Sequence, residues 1–171
     1  MWFKYLQLCL DLESINHSIP KRGGRGKIIS TTKVKVSKSI YRKWDLEKVK
    51  KSSFREWYND EKQILFNEEG GFRYTRGSQY HPLVKRFNVF ILYHNMMNDK
   101  NLYLKGNQTK GMMVSEKIVE DLQKEGGQKE RYELIERRTN TKNMSVQKRV
   151  MKDVVDCENT ILAVCKGRFP K

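Results

Sequence analysis

Positive charge is concentrated in residues 20–51, and this concentration restricts how the chain can fold. The segment holds twelve Lys or Arg against only Asp45 and Glu47, so it carries +10 of the chain's net charge of +15. Like charge at this density destabilises a compact state through self-repulsion, which a bound polyanion relieves. We therefore predict that the protein works by holding nucleic acid, and that the rest of the chain is organised around this segment.

The remainder of the chain is predicted to be mainly α-helical. Its 171 residues fit one ordinary domain or a small domain with an arm, and the 11% aromatic content argues against wholesale disorder. We expect a compact domain of about six helices with a basic, partly extended N-terminal arm, in which a small β-hairpin is one option. The predicted parts are an amphipathic helix at 1–16, a basic Gly-rich arm at 17–43 and a helical domain at 44–171.

Helix starts are marked by side chains that accept hydrogen bonds from the first free amides. Asp45 is suited to cap a helix Leu46–Lys51. Ser53 and Glu56 form the S-x-x-E capping pattern, which predicts a second helix from Phe54. Ser115 is predicted to cap a helix that begins at Glu116.

Two further helices carry most of the predicted core. Residues 83–97 are apolar nearly all round, which predicts a buried central helix. Residues 144–166 carry an apolar seam at steps of three and four residues, followed by Gly167 at the position typical of a helix end. Its members are Val146, Val150, Val154, Cys157, Ile161 and Val164. The seam packs either against its own domain or against a second copy, so a homodimer stays open.

The first part of the arm, Lys21 to Lys27, combines three glycines with four cations. In composition only, it is similar to RGG-type segments, and we expect a loop that contacts phosphates. The alternative is a solvated loop whose charges do nothing specific. The β-branched residues of Ile28 to Val36 favour a strand or hairpin arm.

The cations expected to contact nucleic acid lie in three regions of the chain. Those of the arm are Lys21, Arg22, Arg25, Lys27, Lys33, Lys35, Lys38, Arg42 and Lys43. Those of the middle are Arg73, Arg76 and Arg86, and those near the C-terminus are Arg137, Arg138, Lys142, Lys148 and Arg149. For the C-terminal set, an ordinary solvated helix with pairs such as Glu133 and Arg137 is an equal alternative.

The loop from Arg73 to Arg86 contains the best candidate in the sequence for a catalytic site. Its arginines, with Tyr80 and His81, resemble the residue types of strand-transfer enzymes, in which a tyrosine attacks a phosphodiester. Five such residues within so short a stretch do not make a signature. We predict that the loop binds the nucleic-acid backbone, and we assign no catalytic residue.

No metal or cofactor is expected, because thiol and imidazole groups are not clustered and no P-loop is present. Three cysteines without a CxxC pair favour a reducing, cytoplasmic setting. Because nucleic-acid binding is predicted, we expect the protein to associate there with the nucleoid or with RNA. The N-terminal residues do not fit a signal peptide, and no stretch has the length of a membrane span.

Small size, basic charge and the lack of catalytic motifs favour an accessory nucleic-acid-binding protein of a microbe or mobile genetic element. DNA is the favoured partner, within a homodimer or a larger nucleoprotein complex. The alternatives are an RNA-binding subunit of a ribonucleoprotein, a strand-transfer enzyme or nuclease, and a protein-binding inhibitor with an acidic target.

Overall fold

The computed structural model describes residues 1–23, 27–59, 80–100, 109–124 and 142–168. Its elements are α1 (Trp2–Ser14), β1 (Ser18–Arg22), β2 (Ile28–Lys33), α2 (Leu46–Lys51), α3 (residues 54–59), α4 (Tyr80–Asn98), α5 (Lys110–Lys124) and α6 (Lys142–Cys165). The fold is mainly helical with a small antiparallel hairpin, which confirms the predicted fold class. Contacts divide the chain into one unit of Met1–His81 with Glu158–Lys171 and another of Pro82–Cys157.

Helix α1 supplies much of the core of the first unit. Seven of its thirteen residues are buried and apolar, and they recur at the spacing of a helix face. Gln7, which interrupts the apolar run in sequence, donates through Nε2 to the carbonyl oxygens of Val49 (2.8 Å) and Ser52 (3.0 Å). The last carbonyls of a helix have no partner within it, so this amide satisfies the end of α2 and joins it to α1.

The two predicted helix caps that precede α2 and α3 are confirmed. The Asp45 carboxylate accepts a hydrogen bond from the amide of Lys48 at 3.0 Å. The Ser53 amide donates to the Glu56 carboxylate at 2.8 Å, while the Glu56 amide donates to the Ser53 hydroxyl at 3.3 Å. These reciprocal bonds are those of a capping box, so the local sequence is sufficient to start both helices.

The hairpin forms from a longer stretch than the sequence indicated. Strand β1 pairs antiparallel with β2, with Ser18 opposite Lys33 and Lys21 opposite Ser30. Next to the paired strands, the Gly23 amide donates a further hydrogen bond to the Lys27 carbonyl at 2.7 Å. The prediction of a loop over Lys21 to Lys27 is therefore wrong for its first two residues, because pairing with the β-branched residues of β2 extends the strand.

The end of α6 completes the first unit with a Schellman motif. The Gly167 amide donates to the Val164 carbonyl (2.9 Å), and the Arg168 amide donates to the Ala163 carbonyl (2.9 Å). Gly167 has a φ of +68°, and a Cβ there would lie 2.5 Å from Cγ2 of Ile40. Both its backbone conformation and this close approach require glycine, as the sequence predicted.

The second unit contains α4, α5 and the first part of α6. On α4, Leu83, Val89 and Phe90 are buried, but the residues after Phe90 are partly or fully exposed, so its buried face is narrower than predicted. Helix α5 begins before the predicted start at Glu116. Thr109 supplies the cap by accepting from the Met112 amide at 3.3 Å, and Ser115 instead donates to the Gly111 carbonyl within the helix.

The apolar seam of α6 is buried along its whole length. None of its six members is more than 7% exposed, and four are fully buried. The seam therefore serves the core of this chain, and it offers no open surface for a second copy.

Candidate nucleic-acid interface

The hairpin projects its second strand into solvent. All six residues of β2 are exposed, and Ile28 and Ile29 keep 58% and 67% of their surface. Ile19 on β1 is buried, so the hairpin is held to its unit through the first strand. A strand that is exposed throughout can place its side chains against a large partner without a change of fold.

Six cations of the predicted arm are exposed and have no ion-pair partner within the described part of the chain. We call Lys21, Lys27, Lys33, Lys35, Lys38 and Arg42 the surface cations. They lie within 22 consecutive positions, on the hairpin and on the segment that follows it. Lys43 is exposed beside Arg42. The structure thus exposes the charge that the sequence concentrates here.

Arg22 behaves differently from its neighbours. Its guanidinium contacts the Glu158 carboxylate through both Nη atoms, and Glu158 is only 2% exposed. A paired guanidinium has satisfied its charge inside the protein, so Arg22 fixes the end of β1 against α6. Sequence reasoning placed Arg22 among the phosphate contacts because it could not identify the distant acid.

Residues 34–44, which we call the anchored loop, are tied to the end of α6. The Ser37 amide donates to the Cys165 carbonyl at 2.9 Å, and the Tyr41 hydroxyl donates to the Val164 carbonyl at 2.5 Å. Burial raises the pKa of Tyr41 well above its ordinary value, and the nearby Cys9 and Cys165 thiols add to the effect. Tyr41 therefore stays a neutral donor, and the loop presents Lys38 and Arg42 from a fixed backbone.

The three cysteines are free thiols and are buried. The Cys9 thiol donates to the Ile161 carbonyl at 3.5 Å. Hydrogen bonding with the Cys9 side chain lowers the pKa of Cys165, against the opposing effect of burial. Cys9 and Cys165 lie near Tyr41 of the anchored loop, and all three thiols are small, buried residues.

A cleft of about 560 Å³ opens beside the anchored loop, and we call it the Trp44 cleft. Its walls come from α1, the anchored loop and α2, and they include Leu10, Glu13, Lys38, Tyr41, Arg42, Trp44, Asp45, Glu47 and Lys50. Apolar, aromatic and charged groups of both signs therefore converge on one concave surface. In the sequence, the run Tyr-Arg-Lys-Trp at 41–44 is the signal that could have indicated this site.

The second unit contains three of the predicted contact residues whose side chains are described. Lys148 is exposed and Arg149 is partly exposed, both on α6. Arg86 lies 3.0 Å from the Asp156 carboxylate, which neutralises much of its charge. Outside the description fall Arg25, Arg73, Arg76, Arg137, Arg138 and the side chains of Lys142, Tyr80 and His81. The predicted loop from Arg73 to Arg86 is wrong from Tyr80 onwards, because residues 80–86 belong to helix α4. Whether Arg73 and Arg76 bind the nucleic-acid backbone stays a prediction.

Comparison of the chain with protein-family models, with curated proteins and with solved structures gives no match. Among the described residues, no three His, Cys, Asp or Glu side chains come together as metal ligands. The same residues include no helix with both the length and the apolar character needed to cross a membrane. The interpretation of the interface therefore depends on its charges and geometry.

Proposed function

We propose that the protein binds nucleic acid, with DNA favoured, by placing the surface cations against backbone phosphates. One observation carries the proposal: these six side chains are exposed and lack ion-pair partners in the described chain, whereas Arg22, Lys85 and Arg86 are each paired with an acid. The mutual repulsion of the surface cations is unfavourable in the isolated protein. A bound polyanion removes that repulsion. Binding also releases the counterions that had condensed on the polyanion, which favours the complex.

The residue types of the surface cations support a contact with the phosphate backbone more than a contact with base edges. Lysine is a compact cation on a flexible stem, and five of the six surface cations are lysines. Phosphate contacts of this kind position a protein on nucleic acid and carry no sequence information. We therefore propose binding with little sequence preference, in a reducing intracellular setting that the three free thiols support.

The test compares two variants that lose the same charge at different places. In one, Lys21, Lys27, Lys33 and Lys35 become Gln; in the control, the exposed Lys4, Lys100, Lys117 and Lys152 become Gln. Each variant lowers the net charge from +15 to +11. Binding is measured by fluorescence anisotropy with a labelled DNA duplex at one salt concentration.

We expect the variant that loses Lys21, Lys27, Lys33 and Lys35 to lose most of its affinity, and the control variant to stay close to the wild type. Equal losses in both would show that net charge alone matters and would contradict the assigned interface. Vesicles of phosphatidylserine and phosphatidylcholine serve as a second polyanionic surface. Binding to the vesicles without binding to duplex DNA or to RNA would overturn the proposal.

A further inference from the structure

Trp44 offers a rigid aromatic surface to the Trp44 cleft. Its ring lies edge to face with Trp2, at 5.0 Å between centroids, and with Tyr41, at 5.3 Å. Trp57 lies 5.0 Å away at an angle of 35° and is fully buried. The neighbouring rings fix the orientation of Trp44, yet part of it stays exposed and lines the cleft. A stacking surface that is already ordered loses little entropy when a flat ligand binds.

The charges around the cleft separate into paired and available groups. The Asp45 carboxylate is engaged by the Lys48 amide, and Lys50 lies 3.8 Å from the Asp11 carboxylate. Lys38 and Arg42 are surface cations and remain available for an anion. Glu13 also lines the cleft, as does Glu47, whose carboxylate lies 4.0 Å from the Lys51 ammonium. Their carboxylates disfavour a phosphate inside it but accept hydrogen bonds from amino or hydroxyl groups.

We propose that the Trp44 cleft takes one unpaired base of a single-stranded nucleic acid, stacked on Trp44, while Lys38 and Arg42 hold the adjoining phosphates. This inference rests on the proposed function and deepens it from any nucleic acid to a strand with an unpaired base. The cleft lies within the range of about 300–1,000 Å³ that is typical of small-ligand sites, so it has room for a nucleotide. A base within a duplex is stacked and paired, and cannot enter.

The experiment uses the full chain and labelled thymidine strands of about twelve nucleotides, a length within the range of single-strand sites. One strand carries its bases, and the other has abasic sites with the same phosphates. We expect the wild type to bind the strand with bases about 5- to 150-fold more tightly, the range given by stacking of one base. A matching uridine strand shows whether the ribose or the deoxyribose form is preferred, and tighter binding of either supports the proposal.

Two substitutions locate the effect. Trp44→Leu keeps an apolar side chain but removes the stacking surface, so the preference for bases over abasic sites should disappear. Phe54→Leu is the control, because Phe54 belongs to the same group of aromatic residues, is 45% exposed and does not line the cleft. Its preference should equal that of the wild type. An unchanged preference in Trp44→Leu would overturn the assignment of the base to this cleft.

A second measurement needs no substitution and therefore does not depend on how Trp44→Leu folds. Of the three tryptophans, Trp2 and Trp57 are buried, so a stacked base should quench mainly Trp44. We expect the strand with bases to quench tryptophan fluorescence and the abasic strand to leave it nearly unchanged. Equal affinity and equal quenching with both strands would overturn the inference while leaving phosphate binding intact. Failure of both strands and of a duplex to bind would instead overturn the proposed function.

Discussion

Arg22 at the end of β1 forms a bidentate ion pair with Glu158 on α6, and Nη2 of the guanidinium lies 3.1 Å from Oε1 of the carboxylate. Arg22 is one of the arm cations predicted to contact phosphate, but its guanidinium is paired with an acid inside the protein. Glu158 is 2% exposed, and an isolated carboxylate in such a position would be costly. The pair therefore orients the hairpin and leaves its other cations to face solvent.

Replacement of Arg22 should reduce stability more than it reduces binding. Arg22→Ala leaves Glu158 buried without its cation, and we expect a loss of about 3 kcal/mol in the free energy of unfolding, measured by urea denaturation. Lys21→Ala is the control, since Lys21 is exposed and is one of the surface cations. It should leave the urea midpoint unchanged and make the salt dependence of binding shallower by about one unit of log–log slope. If Arg22→Ala left the urea midpoint unchanged and instead made the salt dependence shallower, Arg22 would be a phosphate contact after all.

The Lys85–Asp153 pair is a second buried ion pair, within the second unit, with 2.6 Å between the ammonium and the carboxylate. Both side chains are less than 8% exposed. Lys85→Met leaves a buried, uncompensated carboxylate and should cost about 3–5 kcal/mol. The double change Lys85→Met with Asp153→Leu removes both charges and should recover most of that loss. A double variant no more stable than the single one would argue against the pair as the cause.

The seam of α6 should tolerate no charge. Val154 is fully buried, so Val154→Asp places an unpaired carboxylate in the core and should lower the free energy of unfolding by several kcal/mol. Asn159→Asp on the same helix adds the same charge at an exposed position and should change little. Thermal melting followed by circular dichroism compares the two. Similar melting temperatures would show that the seam is not part of the core.

Alkaline pH should destabilise the protein through Tyr41. Burial raises the pKa of Tyr41 in the folded state, whereas the unfolded chain has the ordinary value of about 10. Above about pH 10 the unfolded state loses this proton and the folded state keeps it, so stability falls by about 1.4 kcal/mol per pH unit until the folded pKa is reached. Tyr41→Phe removes this dependence. Urea denaturation of both proteins from pH 8 upwards measures the difference, and parallel curves would contradict the assignment.

Local signals in the sequence predicted the fold well where they depend on neighbouring residues. The cap at Asp45, the capping box of Ser53 and Glu56, and the glycine after α6 each follow from contacts within a few positions. The predicted start of α5 was wrong. Ser115 has a side chain suited to capping a helix, but the residue that caps α5 is Thr109. Propensity alone does not distinguish two such candidates six residues apart.

The interface could be predicted only in part. Its cations are close together in the sequence, but its geometry depends on contacts between residues that are far apart in the sequence. The density of cations in residues 20–51 identified the surface cations. The pairing of Arg22 with Glu158 joins residues 136 positions apart, and the hydrogen bond from Tyr41 to Val164 joins residues 123 apart. No pattern in one sequence indicates such contacts. The Trp44 cleft arises from three elements and was invisible for the same reason.

The salt dependence of binding tests the central claim most directly. If the surface cations occupy phosphates of duplex DNA, each releases close to one counterion, and the plot of log affinity against log salt should have a slope of about −5. The variant with Lys21, Lys27, Lys33 and Lys35 replaced by Gln keeps two of the six and should have a slope of about −2. A slope near zero for the wild type, or the same slope for both proteins, would contradict a nucleic-acid interface on the hairpin and the anchored loop.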